Sequence, residues 1–302
     1  MYNAEIINET LDYVRKAVGI KIEALIKKKR IIKGAYDPLY CLLSDYPFRD
    51  GKALRPALGI SITRAVGGTA QSALISSVAL EMYHNAFLLF DDTQDDSDIR
   101  RGKETMHKLI GIPGAINLGN ATNVLALGFL LENLNTIGIT KSLHVMHEIE
   151  NMARQSVEGQ SMELDWIANN TFDLGDEDYF NVCAKKTCWY TFITPCRIGY
   201  IIGTSAWSEQ DVIADLAKLT EFGMALGIAF QITDDLLNLT GDEKKYGKEI
   251  AGDIWEGKRT IMLNHVIANS GNYSEQIKEI ICKPRNQKKQ QEVNFILQNS
   301  AR

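Results

Sequence analysis

Two short segments of the chain place acidic side chains directly after long apolar stretches. Residues 91–95 read Asp-Asp-Thr-Gln-Asp, and residues 234–238 read Asp-Asp-Leu-Leu-Asn. The first and last side chains of each segment are four residues apart, so in a helix they share one face. Like charges at that spacing destabilise an exposed helix by about 0.2–0.5 kcal/mol per pair, and burial without a counterion costs far more. The two segments therefore predict bound cations.

The ligand chemistry of these segments favours a hard cation. Carboxylate and amide oxygens suit Mg²⁺, which keeps several waters and joins one or two carboxylates to the phosphates of a substrate. A single segment of this kind is usually a solvated helix end. Two of them, each after an apolar helix and each near basic residues, predict instead two acidic helix ends that face each other around a diphosphate.

Basic residues accompany the acidic segments and could bind the same phosphates. Arginine matches phosphate oxygens with paired hydrogen bonds, and lysine supplies a flexible point charge. The three-residue spacing of Lys52 and Arg55 predicts that both lie on one helical face. As a set, the basic residues predict two anion sites, one bridged by metal and one held by lysine and arginine alone. The set consists of Lys52, Arg55, Arg100, Arg101, Lys186, Lys248 and Lys258.

The elements that must position these residues are helices. The chain has six prolines in 302 residues, and its apolar residues recur at intervals of three and four, the helical period. No segment alternates cleanly between apolar and polar residues, so strands are not expected. We therefore predict one all-α domain over residues 1–302, a bundle of about ten helices facing each other across a core. The clearest predicted helices cover residues 115–135, 140–166, 176–182 and 208–239, and the main polar interruptions are 32–51, 169–178 and 241–257.

Composition excludes several classes of protein. The chain is 45% apolar and 24% charged, with 33 basic and 38 acidic side chains and a net charge of −5. These values argue against disorder and against a general attraction to nucleic acid or anionic membranes. The apolar stretch of residues 77–90 is interrupted by Glu81 and His84, so a membrane-spanning helix is not expected there. Five cysteines and no opening signal peptide predict a cytoplasmic protein.

Three motifs in the chain resemble those of a known enzyme family. The motif D-D-x-x-D followed by S-x-x-R-R-G spans residues 91–102, F-Q-x-x-D-D-x-x-[DN] spans 230–238, and G-K-x-x-R-P spans 51–56. Together they resemble the all-trans isoprenyl diphosphate synthases, or polyprenyl synthetases, and most of all the geranylgeranyl and farnesyl diphosphate synthases. The similarity extends from about Gly51 to Thr260.

The resemblance implies a fold, a reaction and partners. The fold would be the all-α isoprenoid synthase bundle with a central active-site cavity. The reaction would join an allylic diphosphate to isopentenyl diphosphate, head to tail, with three Mg²⁺ ions and release of diphosphate. The enzyme would act as a homodimer.

The resemblance also implies a role for each motif residue. The metal ligands would be Asp91, Asp92, Asp95, Asp234, Asp235 and Asn238. The residues that contact the allylic diphosphate would be Arg100, Lys186, Thr187, Gln231, Lys248 and Lys258. The residues that bind isopentenyl diphosphate would be Lys52, Arg55, His84 and Arg101, with Phe230 beside the isopentenyl group. Catalysis would rest on the five aspartates and Lys186.

Product length is predicted to depend on the helix that precedes Asp91. Phe87 lies one turn deeper on the same face, about 5.4 Å away, and Tyr83 lies two turns deeper. A phenyl ring at Phe87 would block long chains while Ala86 leaves room beside it, so we expect a C15 to C20 product. Residues 241–257 are a candidate lid, although an ordinary surface loop fits them equally well.

Two other functions remain open at this stage. A terpene cyclase also ionises allylic diphosphates with Mg²⁺ in the same fold, but it needs no second-substrate site. A non-catalytic subunit of a heteromeric synthase would be expected to lose one acidic segment, and both are present here. The condensing enzyme is therefore the favoured interpretation.

Overall fold

The computed structural model describes residues 4–30, 34–49, 51–205, 209–241 and 249–300. Within them the chain is almost entirely helical, which confirms the predicted all-α class. The helices are α1 (Ala4–Lys29), α2 (Asp37–Leu42), α3 (Leu54–Ala65), α4 (Ala70–Gln94), α5 (Met106–Leu130), α6 (Gly138–Ala168), α7 (Asp176–Cys183), α8 (Thr194–Gly203), α9 (Glu209–Thr240), α10 (Gly252–Glu256), α11 (Ile261–Asn269), α12 (Ser274–Cys282) and α13 (Gln290–Ser300). A π-helix (Ala184–Ile193) joins α7 to α8, and short 3₁₀ turns cover Tyr46–Phe48, Leu131–Asn135, Gly271–Tyr273 and Arg285–Gln287.

Helix α4 brings the first acidic segment to its position. It starts at a capping box in which Thr69 accepts a hydrogen bond from the Ser72 backbone N–H and the Ser72 hydroxyl accepts one from the Thr69 backbone N–H. The helix ends at Asp95, and Asp96 turns the chain with a φ of +51°. Because the turn follows immediately, the acidic residues occupy the last turn of a mostly buried helix.

A small hairpin follows α4, where no strand was expected. Strand β1 (Ile99–Arg100) pairs antiparallel with β2 (Lys103–Glu104). The positive φ angles of Arg101 and Gly102 make the tight turn between them. The hairpin is too short to give the alternating pattern by which strands are found in a sequence.

Helix α5 packs along α4 and makes the other wall of the bundle. A Cβ atom on Gly119 would lie 2.7 Å from the ring of Phe90, so glycine is required for this approach. The helix is kinked at Gly111 (φ +76°), two residues before Pro113. The predicted helix over 115–135 therefore corresponds to the part of α5 after the kink and to the following 3₁₀ turn.

The predicted start at residue 140 differs from the structure, whereas the predicted start at residue 176 agrees with it. Helix α6 begins at Gly138, so Thr140 lies inside it. Helix α7 begins at Asp176, and its capping contact runs from the Gly175 N–H to Asp178. The predicted start at Ser208 lies outside the described residues. Lys52 precedes α3, so it does not share a helical face with Arg55 as the spacing predicted.

The described helices bury two apolar clusters. The main core lies among α1, α3, α4, α5, α6 and α8 and includes Ile22, Leu80, Met82, Leu118, Phe129 and Ile198. A smaller core joins α10 to α13 and includes Ile254, Leu263, Ile277, Val293 and Ile296. Helix α9 contacts both the π-helix and α11, so it connects the two cores.

Two stretches of the described residues are long and apolar enough to cross a membrane by length and composition alone. They are Ala70–Gln94, whose apolar window is 72% buried, and Met106–Asn135, whose window is 39% buried. The first is the core helix α4, and core helices of globular proteins commonly pass such a test.

Candidate active site

One cavity of about 880 Å³ receives both acidic helix ends. Its walls come from α4, α5, α6, α7, the π-helix, α9 and the segment of residues 249–260. The predicted site residues that line it are Phe87, Asp91, Asp95, Arg100, Lys186, Thr187, Gln231, Asp234, Asp235, Asn238 and Lys258. The central geometric prediction, two acidic ends facing each other across a shared pocket, is therefore met by the structure.

In the first acidic segment, lysine and arginine side chains contact the aspartates. The Asp91 carboxylate lies 3.4 Å from both Lys186 Nζ and Arg100 Nη2. The Asp95 carboxylate lies 2.9 Å from Lys258 Nζ. Burial raises the pKa of Asp95 to about 7, despite the attraction of Lys258. Each of these two carboxylates thus has a cationic partner, while burial still favours the protonated form of Asp95.

Asp92 is placed differently from its two neighbours. Its side chain is 1% exposed and does not line the cavity. It accepts hydrogen bonds from the Tyr46 hydroxyl at 2.7 Å, from Arg100 Nε at 2.8 Å and from Arg100 Nη2. In the structure Asp92 thus orients Arg100, and its role as a metal ligand stays a prediction.

The second acidic segment is ordered by a chain of hydrogen bonds. The Thr187 hydroxyl donates to Gln231 Oε1 at 2.7 Å, and Gln231 Nε2 donates to Asp235 at 2.6 Å. The Tyr179 hydroxyl donates to the other Asp235 oxygen at 2.7 Å. Burial raises the pKa of Asp235 to about 6, against the effect of these donors.

Asn238 serves the backbone of α10 as well as the cavity. Its side-chain oxygen accepts a hydrogen bond from the Asp253 N–H at 3.1 Å, and its carbonyl accepts one from the Ala251 N–H at 2.7 Å. An amide can make this contact without adding negative charge. In this arrangement Asn238 positions residues 251–253 at the rim of the cavity.

The charges that line the cavity do not balance. Among the described lining residues, nine carboxylates face four cationic side chains. They are Asp91, Asp95, Asp98, Glu163, Asp234, Asp235, Glu249, Asp253 and Glu256 against Arg100, Lys186, Lys258 and Arg259. In the described part of the chain, no group of three or more His, Cys, Asp or Glu side chains is already arranged around one point. The surplus of oxygen ligands nevertheless fits hard divalent cations that arrive together with a phosphate ligand.

A second basic cluster lies beside the cavity and consists of Arg55, His84 and Arg101. Arg101 Nη2 lies 3.4 Å from His84 Nε2. Arg55 donates to the Thr191 hydroxyl at 2.8 Å, and its guanidinium stacks 4.3 Å above the ring of Tyr190, which lines the cavity. The geometry agrees with the predicted anion site held by basic residues alone.

Glycine at the entrance to α3 allows this cluster to form. A Cβ atom on Gly51 would lie 2.9 Å from the Arg101 guanidinium. Arg101 also approaches the carbonyls of Tyr46 and Arg49 at 3.4 Å. Lys52 is exposed and lies next to Gly51 in the chain, at the edge of the cluster.

Several predicted residues lie away from the cavity. Phe230 is 42% exposed and packs edge-on against Phe192. Ala86 is fully buried in the helix core, so it does not open room beside Phe87 as expected. Tyr83 packs against Phe87 with ring centroids 6.4 Å apart. Lys248 lies outside the described residues, as do the other residues of the 242–248 part of the candidate lid.

Several polar residues of the site were missed in the sequence. Glu163 forms an ion pair with Lys186, and Glu256 accepts from Lys258 at 2.7 Å and from the Ser97 hydroxyl at 3.1 Å. The others that line the cavity include Tyr179, Gln160, Asp98, Glu249, Asp253 and Arg259. A signal did exist for α6: the apolar stripe through Met152 continues into polar residues at 160 and 163, which a merely structural stripe would avoid.

A close approach of α6 explains how Lys186 reaches the cavity. A Cβ atom on Gly159 would lie 2.6 Å from the backbone N of Lys186. Only glycine permits this contact, because the obstacle is backbone. The residue therefore sets the distance between α6 and the π-helix that carries Lys186 and Thr187.

Comparisons with known proteins agree with this geometry. The family model "Polyprenyl synthetase" matches residues 37–299. A geranylgeranyl diphosphate synthase of Saccharolobus solfataricus is 36% identical over 76% of this chain and 66% of its own length. An octaprenyl diphosphate synthase of Escherichia coli is 32% identical over 72% of this chain and 62% of its own length. The chain thus spans about two thirds of the length of these curated relatives. The fold is also that of a crystal structure of a geranylgeranyl pyrophosphate synthase from Corynebacterium glutamicum complexed with isoprenyl diphosphate and magnesium. The two chains superpose with a TM-score of 0.84 at 23% identity, and the match covers 98% of this chain and 86% of the other.

Proposed function

The chain belongs to the polyprenyl synthetase family, and we propose that it condenses isopentenyl diphosphate with an allylic diphosphate, head to tail, to give a short-chain prenyl diphosphate and free diphosphate. The observation that carries the proposal is the cavity that receives both acidic helix ends and lies beside the basic cluster of Arg55, His84 and Arg101. One diphosphate would bind at each place. Relatives named geranylgeranyl and short-chain isoprenyl diphosphate synthases support the same reaction.

The acidic ends are suited to Mg²⁺, and the family resemblance implies three such ions. Asp91 and Asp95 on one side and Asp234 and Asp235 on the other would hold them. When bound, the metal neutralises negative charge that develops on the departing diphosphate. The bound magnesium of the Corynebacterium protein supports this assignment.

The chain's own cations act on the same leaving group. Lys186, Lys258 and Arg100 would donate hydrogen bonds to oxygens of the allylic diphosphate and stabilise its departure where charge develops. As the C–O bond to the allylic C1 breaks, the alkene of isopentenyl diphosphate forms a bond to C1. An oxygen of the released diphosphate then accepts the proton that leaves C2 of the isopentenyl unit. The products are the elongated diphosphate and protonated diphosphate, so atoms and charge balance.

The basic cluster argues for condensation over cyclisation. Arg55, His84 and Arg101, with Lys52 at the edge, would hold the diphosphate of isopentenyl diphosphate. A terpene cyclase has no second diphosphate to bind, so such a cluster would have no role there. The aromatic ring of Tyr190 lies between the cluster and the cavity, where it would separate the two diphosphates and exclude water from the allylic cation.

The apolar depth of the cavity supports a product of C15 to C20. Phe87 lines the cavity one turn below Asp91, and its ring meets Tyr190 edge-on at 5.7 Å. Val157 and Phe90 also contribute apolar side chains to the lining of the cavity. These rings limit the length of chain that the pocket accepts, so we propose a geranylgeranyl or farnesyl product.

An exposed apolar face supports a homodimer. Large exposed apolar side chains recur along α5, the following 3₁₀ turn and the start of α6. They are Ile112, Ile116, Val124, Leu127, Leu131, Leu134, Ile139 and Leu143, all exposed in the single chain. A second copy packed on this face would bury them.

We also propose a cytoplasmic location. The five cysteines are all free thiols, which supports a reducing compartment.

Product analysis tests the proposed reaction. The purified chain is incubated with Mg²⁺, labelled isopentenyl diphosphate and dimethylallyl, geranyl or farnesyl diphosphate in turn, and the products are separated by chromatography. We expect label in C15 or C20 alcohols after dephosphorylation. Consumption of the allylic substrate alone, with hydrocarbon products, would establish a cyclase. No consumption with any primer would indicate a non-catalytic subunit.

The dimer has its own test. Light scattering after size-exclusion chromatography should give twice the chain mass, and Leu127→Glu should give a monomer because a charge would lie in the apolar contact. A monomeric parent protein would contradict the proposal.

A further inference from the structure

A lysine between α12 and α13 is buried against the end of α10 and does not line the cavity. Lys288 is 7% exposed. Its Nζ atom donates hydrogen bonds to the carbonyl of Trp255 at 2.9 Å and to the carbonyl of Lys283 at 2.5 Å. Trp255 lies in the last turn of α10, and Lys283 directly follows α12. One side chain thus joins the ends of two helices.

The surroundings of Lys288 show that it holds backbone. The partners of its ammonium among the described residues are carbonyl groups of the main chain. Burial lowers the pKa of Lys288 to about 8, and the positive charge of Arg259 acts in the same direction. Because a buried charge is costly unless it is hydrogen-bonded, these two contacts stabilise the ammonium in its place. In turn they fix the main chain at Trp255.

The turn that ends α10 needs a donor from outside. The last carbonyls of a helix have no partners within it. Gly257 turns the chain with a φ of +74°, and the N–H groups of Gly257 and Lys258 bond back to two carbonyls of α10 at 3.3 and 2.9 Å. The carbonyl of Trp255 accepts its hydrogen bond from Lys288. The side chain therefore completes the end of the helix.

A second buried cation holds the other side of the same turn. Arg259 is 4% exposed, and it donates hydrogen bonds to the carbonyls of Gly257 and Thr171, the latter at 2.9 Å. Its guanidinium also lies 4.2 Å above the ring of Phe172. The carbonyls on either side of Glu256 thus each accept a hydrogen bond from a buried cation.

The turn carries two side chains that line the cavity. Glu256 lies 2.7 Å from the Nζ of Lys258 and 3.1 Å from the Ser97 hydroxyl. The Nζ of Lys258 also lies 2.9 Å from Asp95. A lysine ammonium sits on a flexible four-carbon stem, so its direction depends on where the main chain and its partners hold it. A shift of the turn would therefore move the ammonium of Lys258 away from Asp95.

We propose that Lys288 is a positioning residue for the allylic diphosphate. By holding the Trp255 carbonyl it fixes residues 255–258, so that Lys258 is directed towards the diphosphate. The inference rests on the proposed function, in which Lys258 donates a hydrogen bond to that group. Among the described residues, none of 261–300 lines the cavity. Lys288 is thus a contact through which the smaller core acts on the site.

A purely structural role for Lys288 predicts a different result. If the lysine only stabilised the smaller core, its replacement would lower the thermal transition and the fraction of active enzyme. The measured kcat would fall and both KM values would stay unchanged. A positioning lysine acts on one substrate, so its loss raises KM for the allylic diphosphate and leaves KM for isopentenyl diphosphate unchanged.

Steady-state kinetics below the thermal transition, with each substrate varied in turn, test the inference. Lys288→Met keeps the apolar stem and removes the donors. We expect KM for the allylic diphosphate to rise about tenfold, the effect of losing one hydrogen bond from a charged group. KM for isopentenyl diphosphate should not change. As a control, Lys289→Met removes the same charge from the neighbouring exposed residue, and both KM values should remain those of the parent.

A double-mutant cycle tests whether Lys288 acts through Lys258. In a Lys258→Gln protein there is no ammonium left to direct. Adding Lys288→Met to it should therefore leave KM for the allylic diphosphate almost unchanged. A further rise of about tenfold, as in the parent background, would show that the two residues act independently and would overturn the inference.

Two other results would also overturn it: an unchanged KM for the allylic diphosphate in Lys288→Met, or an equal rise of both KM values. If Lys288→Met does not fold, as judged by its thermal transition, Lys288→Gln takes its place. Its amide keeps donor hydrogens on a shorter stem, so it must still raise KM for the allylic diphosphate selectively.

A parent protein that consumes no isopentenyl diphosphate would refute the proposed function instead. The inference would then be tested by calorimetric titration with inorganic diphosphate and Mg²⁺. The Kd for diphosphate should rise in Lys288→Met and stay that of the parent in Lys289→Met, and equal values in both variants would refute the positioning role. The two failures are therefore distinguishable.

Discussion

Replacing Asp92 by asparagine distinguishes a metal ligand from a residue that orients an arginine. In the structure Asp92 accepts two hydrogen bonds from Arg100 and one from Tyr46, and its carboxylate does not face the cavity. Asp92→Asn should therefore disturb Arg100 and leave metal binding intact. Asp91→Asn and Asp95→Asn, whose carboxylates do line the cavity, should impair metal binding.

The magnitude follows from the contacts of Asp92. An asparagine oxygen can keep both contacts with Arg100, but each then changes from a hydrogen bond between charged groups to one with a neutral acceptor. A charged hydrogen bond contributes about 1.5–3 kcal/mol and a neutral one about 0.5–1.5, so two of them lose about 2 kcal/mol in all. The amide also removes the acceptor of the Tyr46 hydroxyl. We expect the free energy of unfolding to fall by about 2–3 kcal/mol.

The kinetic assay separates the three variants. Initial rates are measured against Mg²⁺ concentration at saturating substrates, and then against allylic diphosphate at saturating Mg²⁺. Asp92→Asn should raise KM for the allylic diphosphate about tenfold at an unchanged Mg²⁺ midpoint, because Arg100 is no longer fixed. Asp91→Asn and Asp95→Asn should move the Mg²⁺ midpoint upwards. An equal Mg²⁺ shift in Asp92→Asn would refute the reasoning and return Asp92 to the metal ligands.

Three further predictions concern the cavity. Phe87→Ala should lengthen the main product by one or more isoprene units because a ring leaves the apolar wall, whereas an unchanged chromatogram would exclude Phe87 as the limit. Gly159→Ala should lower kcat/KM at least tenfold in the same assay, since its Cβ would lie 2.6 Å from the Lys186 backbone; a variant as active as the parent would contradict that contact. Burial raises the pKa of Asp95 to about 7 and of Asp235 to about 6. Both carboxyl groups therefore bind protons more tightly in the folded chain than in the unfolded chain. The free energy of unfolding of the metal-free protein should thus fall as the pH rises from about 4 to about 7. The thermal stabilisation by Mg²⁺ with inorganic diphosphate should grow over the same range, because the metal competes with those protons, and equal stabilisation at pH 5 and pH 8 would contradict this.

The acidic segments could be recognised from the sequence because their chemistry is local. A carboxylate repeated after four residues at the end of an apolar helix is visible without coordinates, and the helical period of α4 and α9 shows that each segment ends its helix. The pairing of two such segments indicated that they meet. For the same reason the all-α class and the family could be predicted.

The direction in which each side chain points could not be read in this way. Asp91 and Asp92 are adjacent in a helix and therefore differ in direction by about 100°. Which of them faces the cavity depends on how α4 packs, and the partners of Asp92 come from Tyr46 and from the hairpin after α4. Hairpins of two-residue strands leave no periodic signal, so neither partner could be foreseen.

The sequence by itself determined the class of fold, the two acidic helix ends and the set of cations near them, since these depend on residue type and helical spacing. The tertiary structure decided which carboxylates face the cavity and that Glu163 and Glu256 belong to it. These facts depend on contacts between residues far apart in the chain. Such contacts arise from the packing of whole helices, and glycines such as Gly119 and Gly159 set how closely those helices approach.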